Sequence, residues 1–272
     1  MKVQRLFAAA AALAAACGAT AASAQTQTTL PLSERLINLD TPGVLNKGVF
    51  DGRVDVRAFG GAEGLVYTSL GAGVGFGKGW EGVLRGAFAG RKTLALPGGG
   101  GIRHGGSDIE LLAKYAPRST FDIASHPVSL AGLIGVSFPS TPSVSDAHLT
   151  LGLSAGASVG NGSEIYVNPR AVLIADNTIF GLGLGARVRL RDQLALIGDY
   201  TPILSGDNTR DTTTGAAMSR NVYGAAVRYL STNDHYSLDL GYTNGAGSTT
   251  GFALTPGLGG SGAFYIALTA RR

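Results

Sequence analysis

The sequence is short of cysteine, of charge and of long apolar runs, and each shortage closes off a class of protein. Cys17 is the only cysteine among 272 residues, and it falls within what reads as a cleavable export leader. Lys2 and Arg5 form a positive head and Leu6 to Ala16 an apolar run. Ala22-Ser23-Ala24 then supplies the small residues that signal peptidase reads, so residues 1–24 are expected to be removed before Gln25. A lipoprotein site at Cys17 is the weaker reading, because Ala14 stands where a large aliphatic residue is usual. From Gln25 onward there is no cysteine, which excludes disulfides and thiol chemistry. The leader's apolar run is shorter than the roughly 20 residues of a spanning helix, and no later stretch is longer. Charged residues make up 15% of the chain, against about 25% in ordinary soluble domains. The net charge of +4 is dispersed along the chain, which argues against a nucleic-acid partner.

Glycine is abundant, at 42 residues, and apolar residues alternate strictly with polar or small ones. Ile109, Leu111, Ala113 and Tyr115 alternate with Asp108, Glu110 and Lys114. Phe180, Leu182, Leu184, Ala186, Val188 and Leu190 alternate with Gly181, Gly183, Gly185, Arg187 and Arg189. The same period runs through 223–229, 236–242 and 264–271. Alternation over eight or more residues predicts strands with one apolar face. Strands of about ten residues fit tilted membrane crossings. Aromatics at their ends (Tyr115, Phe138, Phe180, Tyr200, Tyr223, Tyr229, Tyr236, Tyr242) fit an interfacial girdle better than a sandwich core. The predicted class is all-β: a single transmembrane, antiparallel, up-and-down barrel of about 12 strands spanning residues 49–272. The expected strands lie near 49–59, 64–77, 80–91, 107–116, 127–138, 147–159, 164–175, 178–190, 193–202, 220–230, 235–243 and 262–271.

With a periplasmic N-terminus, the long outer loops are 92–106, 139–146, 203–219 and 244–261. The inner turns include Lys78-Gly79, 160–163, Arg191-Asp192 and 231–234. Residues 25–48 read as an N-terminal periplasmic leader or plug segment, with one helical turn over 30–37 capped by Ser33.

Three patterns invite a chemical reading. Gly152-Leu153-Ser154-Ala155-Gly156 has the spacing of a nucleophile elbow, but that motif needs a strand-to-helix turn. Here Leu149, Leu151, Leu153 and Ala155 continue a strand with small residues facing a lumen. Gly71-Ala72-Gly73-Val74-Gly75-Phe76-Gly77-Lys78 lacks the hydroxyl residue that follows the lysine of a phosphate loop. Its bare face suits a tight lumen or close packing by a plug. His104, His126, His148 and His235 show no metal-ligand spacing and no serine partner for a membrane hydrolase. No catalytic, cofactor-binding or metal residue is therefore expected. The informative polar set lies on the inward face: Arg53, Asp55, Arg57, Arg85, Arg91, Asp108, Glu110, Lys114, Arg170, Arg187, Arg189, Asp199, Arg228, Asp239 and Arg271. Such charges either satisfy one another in a filled barrel or line a narrow aqueous pore whose cationic excess favours anions.

Residues 107–115 with the following 128–139 resemble a strand pair of bacterial outer-membrane barrels described as transporters, the phenol meta-pathway barrel proteins being one branch. Thr41-Pro42-Gly43-Val44-Leu45-Asn46-Lys47-Gly48-Val49-Phe50 resembles the lead-in to the first strand of uncharacterised barrels of this type. The resemblance implies a barrel in the cell outer membrane with a transport role and no catalytic residues. The ending Thr269-Ala270-Arg271-Arg272 departs from it, since many such barrels end in an aromatic that the barrel assembly machinery reads. The expected function is a passive channel for small solutes with a mildly cationic lumen. Two alternatives stay open: a non-conducting structural or binding barrel using loops 203–219 and 244–261, and a secreted, soluble β-sandwich binding domain. Expected partners are outer-membrane lipid, the assembly machinery and small solutes; no cofactor and no nucleic acid is expected.

Overall fold

A computed structural model describes residues 35–61, 64–117, 121–123, 126–141, 146–160, 162–174, 176–232 and 235–272. The expected leader 1–24, residues 25–34 and thus Ser33 with most of the expected helical turn lie outside them. Twelve strands carry the fold: β1 (Phe50–Phe59), β2 (Val66–Gly77), β3 (Trp80–Ala95), β4 (Gly101–Tyr115), β5 (His126–Ser140) and β6 (His148–Gly160), then β7 (Ser163–Leu173), β8 (Ile179–Arg191), β9 (Leu194–Thr201), β10 (Val222–Leu230), β11 (Tyr236–Thr243) and β12 (Ala263–Arg271). Each pairs antiparallel with the next, and β12 returns to β1 with Leu268 opposite Val54. Phe50 and Arg272 exchange two further backbone bonds at the seam. The ring is closed and up-and-down, as the alternation predicts. Closure leaves no unpaired sheet edge, the condition under which strands can stand in lipid.

The burial pattern is inverted relative to a soluble domain. Leu70, Leu84, Leu111, Ile134, Leu184 and Leu240 are exposed, whereas Arg57, Glu110 and Asp239 are fully buried. A continuous outer face of this kind would be an extreme apolar patch in water, but it is the normal exterior of a membrane barrel. Exposed aromatics form two belts. Phe50, Phe76, Trp80, Tyr115, Tyr229 and Tyr236 ring the end that carries both barrel termini, and Phe88, Phe138, Tyr200, Tyr223, Tyr242 and Phe264 ring the other. Amphipathic rings settle at such interfaces.

The connections follow local chemistry. The β2–β3 hairpin closes on Lys78 and Gly79, both at positive φ (53° and 84°). This is the tight turn that matches strand twist and usually demands Asn or Gly. Three expected outer loops turn out differently. Most of 92–106 is strand, because β3 and β4 continue as a hairpin beyond the aromatic belt. In 203–219, Ile203–Ser205 extends the pairing with β8, and Thr209–Arg210 pairs with Ala217–Met218. Residues 244–250 are buried, so 244–261 is not a loose surface loop. Among the described residues no helix is long and apolar enough to span a membrane.

Candidate functional site

The barrel interior is occupied by the chain itself. Residues 45–48 enter at the end that carries the barrel termini, where the Leu45 amide donates to Glu81 (3.0 Å) and the Gly48 amide to the Gly75 carbonyl (2.9 Å). Deeper in, Arg35 and Asp40 pair as a bridge and the Leu36 amide donates to the Leu39 carbonyl (2.9 Å). Residues 35–40 thus form a tight hairpin tip. Leu36, Ile37 and Leu39 pack against Tyr166, Ile197, Ala226, Tyr265 and Ala267. Glycines make the room. A Cβ at Gly183 or Gly185 would overlap Leu39 or Leu36, and one at Gly224 would come within 3.0 Å of Ile37. Along β2, a Cβ at Gly75 would overlap the backbone of Leu45 and Asn46.

Polar contacts fix the tip from several strands at once. Asp199 of β9 accepts from the amides of Ile37 (3.0 Å) and Asn38 (2.7 Å), and from the Asn38 side-chain amide (2.8 Å). Arg57 of β1 donates to the Ile37 carbonyl (3.2 Å), the Asn38 Oδ1 (2.8 Å) and the Gly245 carbonyl (2.8 Å). Arg170 of β7 donates to the Asn38 carbonyl (2.6 Å) and Arg228 of β10 to the Arg35 carbonyl (2.9 Å). Asp40 pairs with Arg85 of β3, and its carbonyl accepts from Ser154 (2.8 Å) and Asn168 (3.0 Å). Ser154, the serine of the elbow-like motif, is therefore a lumen hydroxyl holding backbone.

The remaining inward charges answer one another across paired strand positions. Arg228 meets Asp239 (2.6 Å) and Arg187 meets Glu164 (3.2 Å), while Arg85 approaches Glu110 (3.5 Å). All three are register partners. The Arg53 side chain, largely buried, reaches Asp239 (2.8 Å) and the Tyr265 hydroxyl, and Asp55 accepts from Arg57 (2.9 Å). Breaking such a buried pair costs about 3–5 kcal/mol, because it strands the surviving charge. Lys114 is buried beside a residual cavity of about 40 Å³ that Arg35, Asp40, Asp51, Arg53, Asp55, Glu81 and Arg85 also line. That is space for a few waters. Arg189 is exposed at the barrel mouth beside Asp192 (3.0 Å). Arg91 does not face the lumen. An irregular register between Ala89 and Lys92 displaces it, and its guanidinium reaches Ser140 (3.0 Å) on the outer face.

Asp51, Glu81 and Glu164 belong to the same buried set and escaped the sequence reading, although each lies an even number of residues from Arg53, Arg85 or Arg170. Arg35, Asn38 and Asp40 lie in a segment with no periodicity to reveal them. With these included, the buried carboxylates (Asp40, Asp51, Asp55, Glu81, Asp108, Glu110, Glu164, Asp199, Asp239) outnumber the buried cations (Arg35, Arg57, Arg85, Lys114, Arg170, Arg228). Arginine gathers instead at the mouth, where Arg187, Arg189 and Arg191 line one recess with Asp192, three cations to one carboxylate.

The β11–β12 connection fills the other half of the lumen. It carries a single helical turn, Thr250–Ala253, capped by the Thr249 hydroxyl. The Thr250 amide donates to Glu110 (3.1 Å), and the Ser248 carbonyl accepts from Arg35. Phe252 stacks edge-on against Tyr67 (5.8 Å) beside Phe59 and Ala87. Leu254 packs on Val172 and Ile179. Asp108 accepts from Ser137 (2.6 Å), and both Asp108 and His148 face Gly251. Among the described residues no cluster of three or more His, Cys, Asp or Glu could hold a metal ion.

No protein-family model matches the chain, and no curated protein matches it. Solved structures do. The KdgM porin in complex with disordered oligogalacturonate is 10% identical with a TM-score of 0.52, covering 82% of this chain and 98% of that one. The NanC porin is 10% identical with a TM-score of 0.52, over 81% and 98%. An outer membrane channel from Pseudomonas putida F1 is 14% identical with a TM-score of 0.52, over 85% and 97%. At these identities the likeness speaks for the fold, and that fold is the closed twelve-stranded antiparallel barrel of porin-like proteins.

Proposed function

We propose that this chain is a non-enzymatic outer-membrane channel for small solutes, held closed at rest by its own N-terminal hairpin. One observation carries the reading: residues 35–45 lie inside a porin-like barrel, gripped at the tip by Asp199, Arg57 and Arg170 from three separate strands. A barrel of this size without the insert has room for a solute path. In this proposal residues 1–24 are the export leader, residues 25–48 the plug segment, and the assembly machinery and outer-membrane lipid the chain's partners. Solutes are expected to be small and weakly anionic. Their preference is set by the cationic mouth of Arg187, Arg189 and Arg191, because charge rings govern pore selectivity.

A second reading, a permanently filled structural barrel, is favoured by the number of strands that grip the insert at once: Arg57, Arg85, Arg170, Asp199 and Arg228 all bond residues 35–40. Planar-bilayer recordings separate the two. The channel reading expects rare, small openings from the wild type and frequent, larger, anion-preferring steps from Asp199→Ala. Silence from both, with the barrel folded and inserted, favours the structural reading.

A further inference from the structure

The β3–β4 hairpin leaves the aromatic belt through an irregular stretch. β3 shifts register between Ala89 and Lys92, and opposite it Gly105 and Gly106 both take positive φ (82° and 120°). A Cβ at Gly106 would meet the Thr141 backbone at 3.0 Å, so this backbone stays bare. The result is a shallow open groove of about 420 Å³ on the outward side of the barrel. Val66 and Phe88 wall it, the hydroxyls of Thr68, Ser107 and Ser140 run along it, and Arg91 stands at its rim. Arg91 also bounds a cavity of about 180 Å³, lined with it by Lys92, Arg103, Thr93 and Thr141. No carboxylate among the described residues lines either one. Phe88 and Phe138 belong to the aromatic belt, which puts the open groove at the membrane interface and the cavity just beyond it.

We propose that this double groove binds a phosphorylated glycolipid of the outer leaflet, its acyl chain against Val66 and Phe88 and its phosphate between Arg91 and Arg103. A groove with an apolar wall at Val66 and Phe88 and arginines at its rim repeats the layout of such an amphiphile. Arginine suits the role because its planar fork bonds phosphate oxygens in pairs, and basic pockets beside membrane spans bind anionic headgroups in this way. Neither barrel closure nor the lumen network uses Arg91 or Arg103. The site rests on the membrane reading, with the barrel termini on the periplasmic side, and holds whether or not the lumen conducts.

The test places the purified full chain in phosphatidylcholine nanodiscs containing diphosphoryl lipid A or its phosphatase-treated form, and counts retained glycolipid by native mass spectrometry. The wild type is expected to retain the phosphorylated form about fivefold or more over the dephosphorylated one, as two charge-assisted contacts imply. The Arg91→Ala/Arg103→Ala pair is expected to lose that preference, and Arg91→Lys/Arg103→Lys to keep part of it. Added inorganic phosphate is expected to leave the glycolipid bound. Equal retention of the two lipids, wild-type retention by the folded alanine pair, or full release by inorganic phosphate would each overturn the assignment. Failure of the wild type to enter nanodiscs at all would instead sink the membrane reading, and the site with it.

Discussion

Asn38 and Asp199 stand at the centre of the contacts that hold the hairpin tip. Asp199 accepts three bonds from the hairpin tip, and Asn38 touches Asp199, Arg57, Arg170 and Thr243. A hydrogen bond to a charged group is worth roughly 1.5–3 kcal/mol, so Asp199→Ala should shift the tip's docking equilibrium at least tenfold toward release. The measurement is protease sensitivity of residues 35–45 in the inserted protein: Asp199→Ala should be cut faster with the barrel intact, and an unchanged rate would show that the tip is held elsewhere. Gly183 offers an independent check. Gly183→Val would overlap Leu39 and should release the tip as well. Adding Leu39→Ala should restore part of the protection, because the closest clash is with that side chain while the Asn168 carbonyl oxygen, 3.0 Å from the new Cβ, still crowds it; no rescue at all would mean that strand β8 itself is disturbed. The alternation period already marked Asp199 as inward. Asn38 was invisible, because a four-residue turn has no period and its partners come from across the barrel.

At the scale of elements, β8 shows what the sequence expresses best. Leu184 and Val188 are exposed and Arg187 is turned inward to Glu164, as a period of two requires. Leu184→Arg should impair insertion, at a cost of about 2–4 kcal/mol near the midplane. Arg187→Ala should insert normally and, if the lumen conducts, weaken anion preference in reversal-potential measurements. Normal insertion of Leu184→Arg would mean that this face does not meet lipid.

The β11–β12 connection shows where reading the sequence failed. Thr, Gly, Asn and Ser are the residues of a solvated loop, yet 244–250 are buried. A barrel lumen is polar, so chain that fills it is composed like chain that faces water. Composition separates inside from outside only where the inside is apolar. The β3–β4 hairpin escaped for a different reason: its irregular register breaks the parity on which inward and outward were assigned.

For the whole molecule, the closed ring, the apolar exterior and the two aromatic belts belong together, and they set the expectations for its behaviour. The protein should fractionate with outer membranes, resist alkaline extraction and give a β-rich circular dichroism spectrum; the closed ring already excludes a β-sandwich, and recovery as a soluble periplasmic monomer would contradict the membrane reading. The most direct single measurement is electron-resonance accessibility of a spin label placed on β8, first at Leu184→Cys and then at Arg187→Cys, each in a Cys17→Ser background so that no other thiol takes the label. A membrane barrel predicts that the label at 184 is relaxed by lipid-soluble oxygen. It predicts that the label at 187 is shielded from lipid and reached, if at all, by a water-soluble nickel complex. A label at 184 shielded by protein, in a molecule that stays free in solution, would contradict the account at its base.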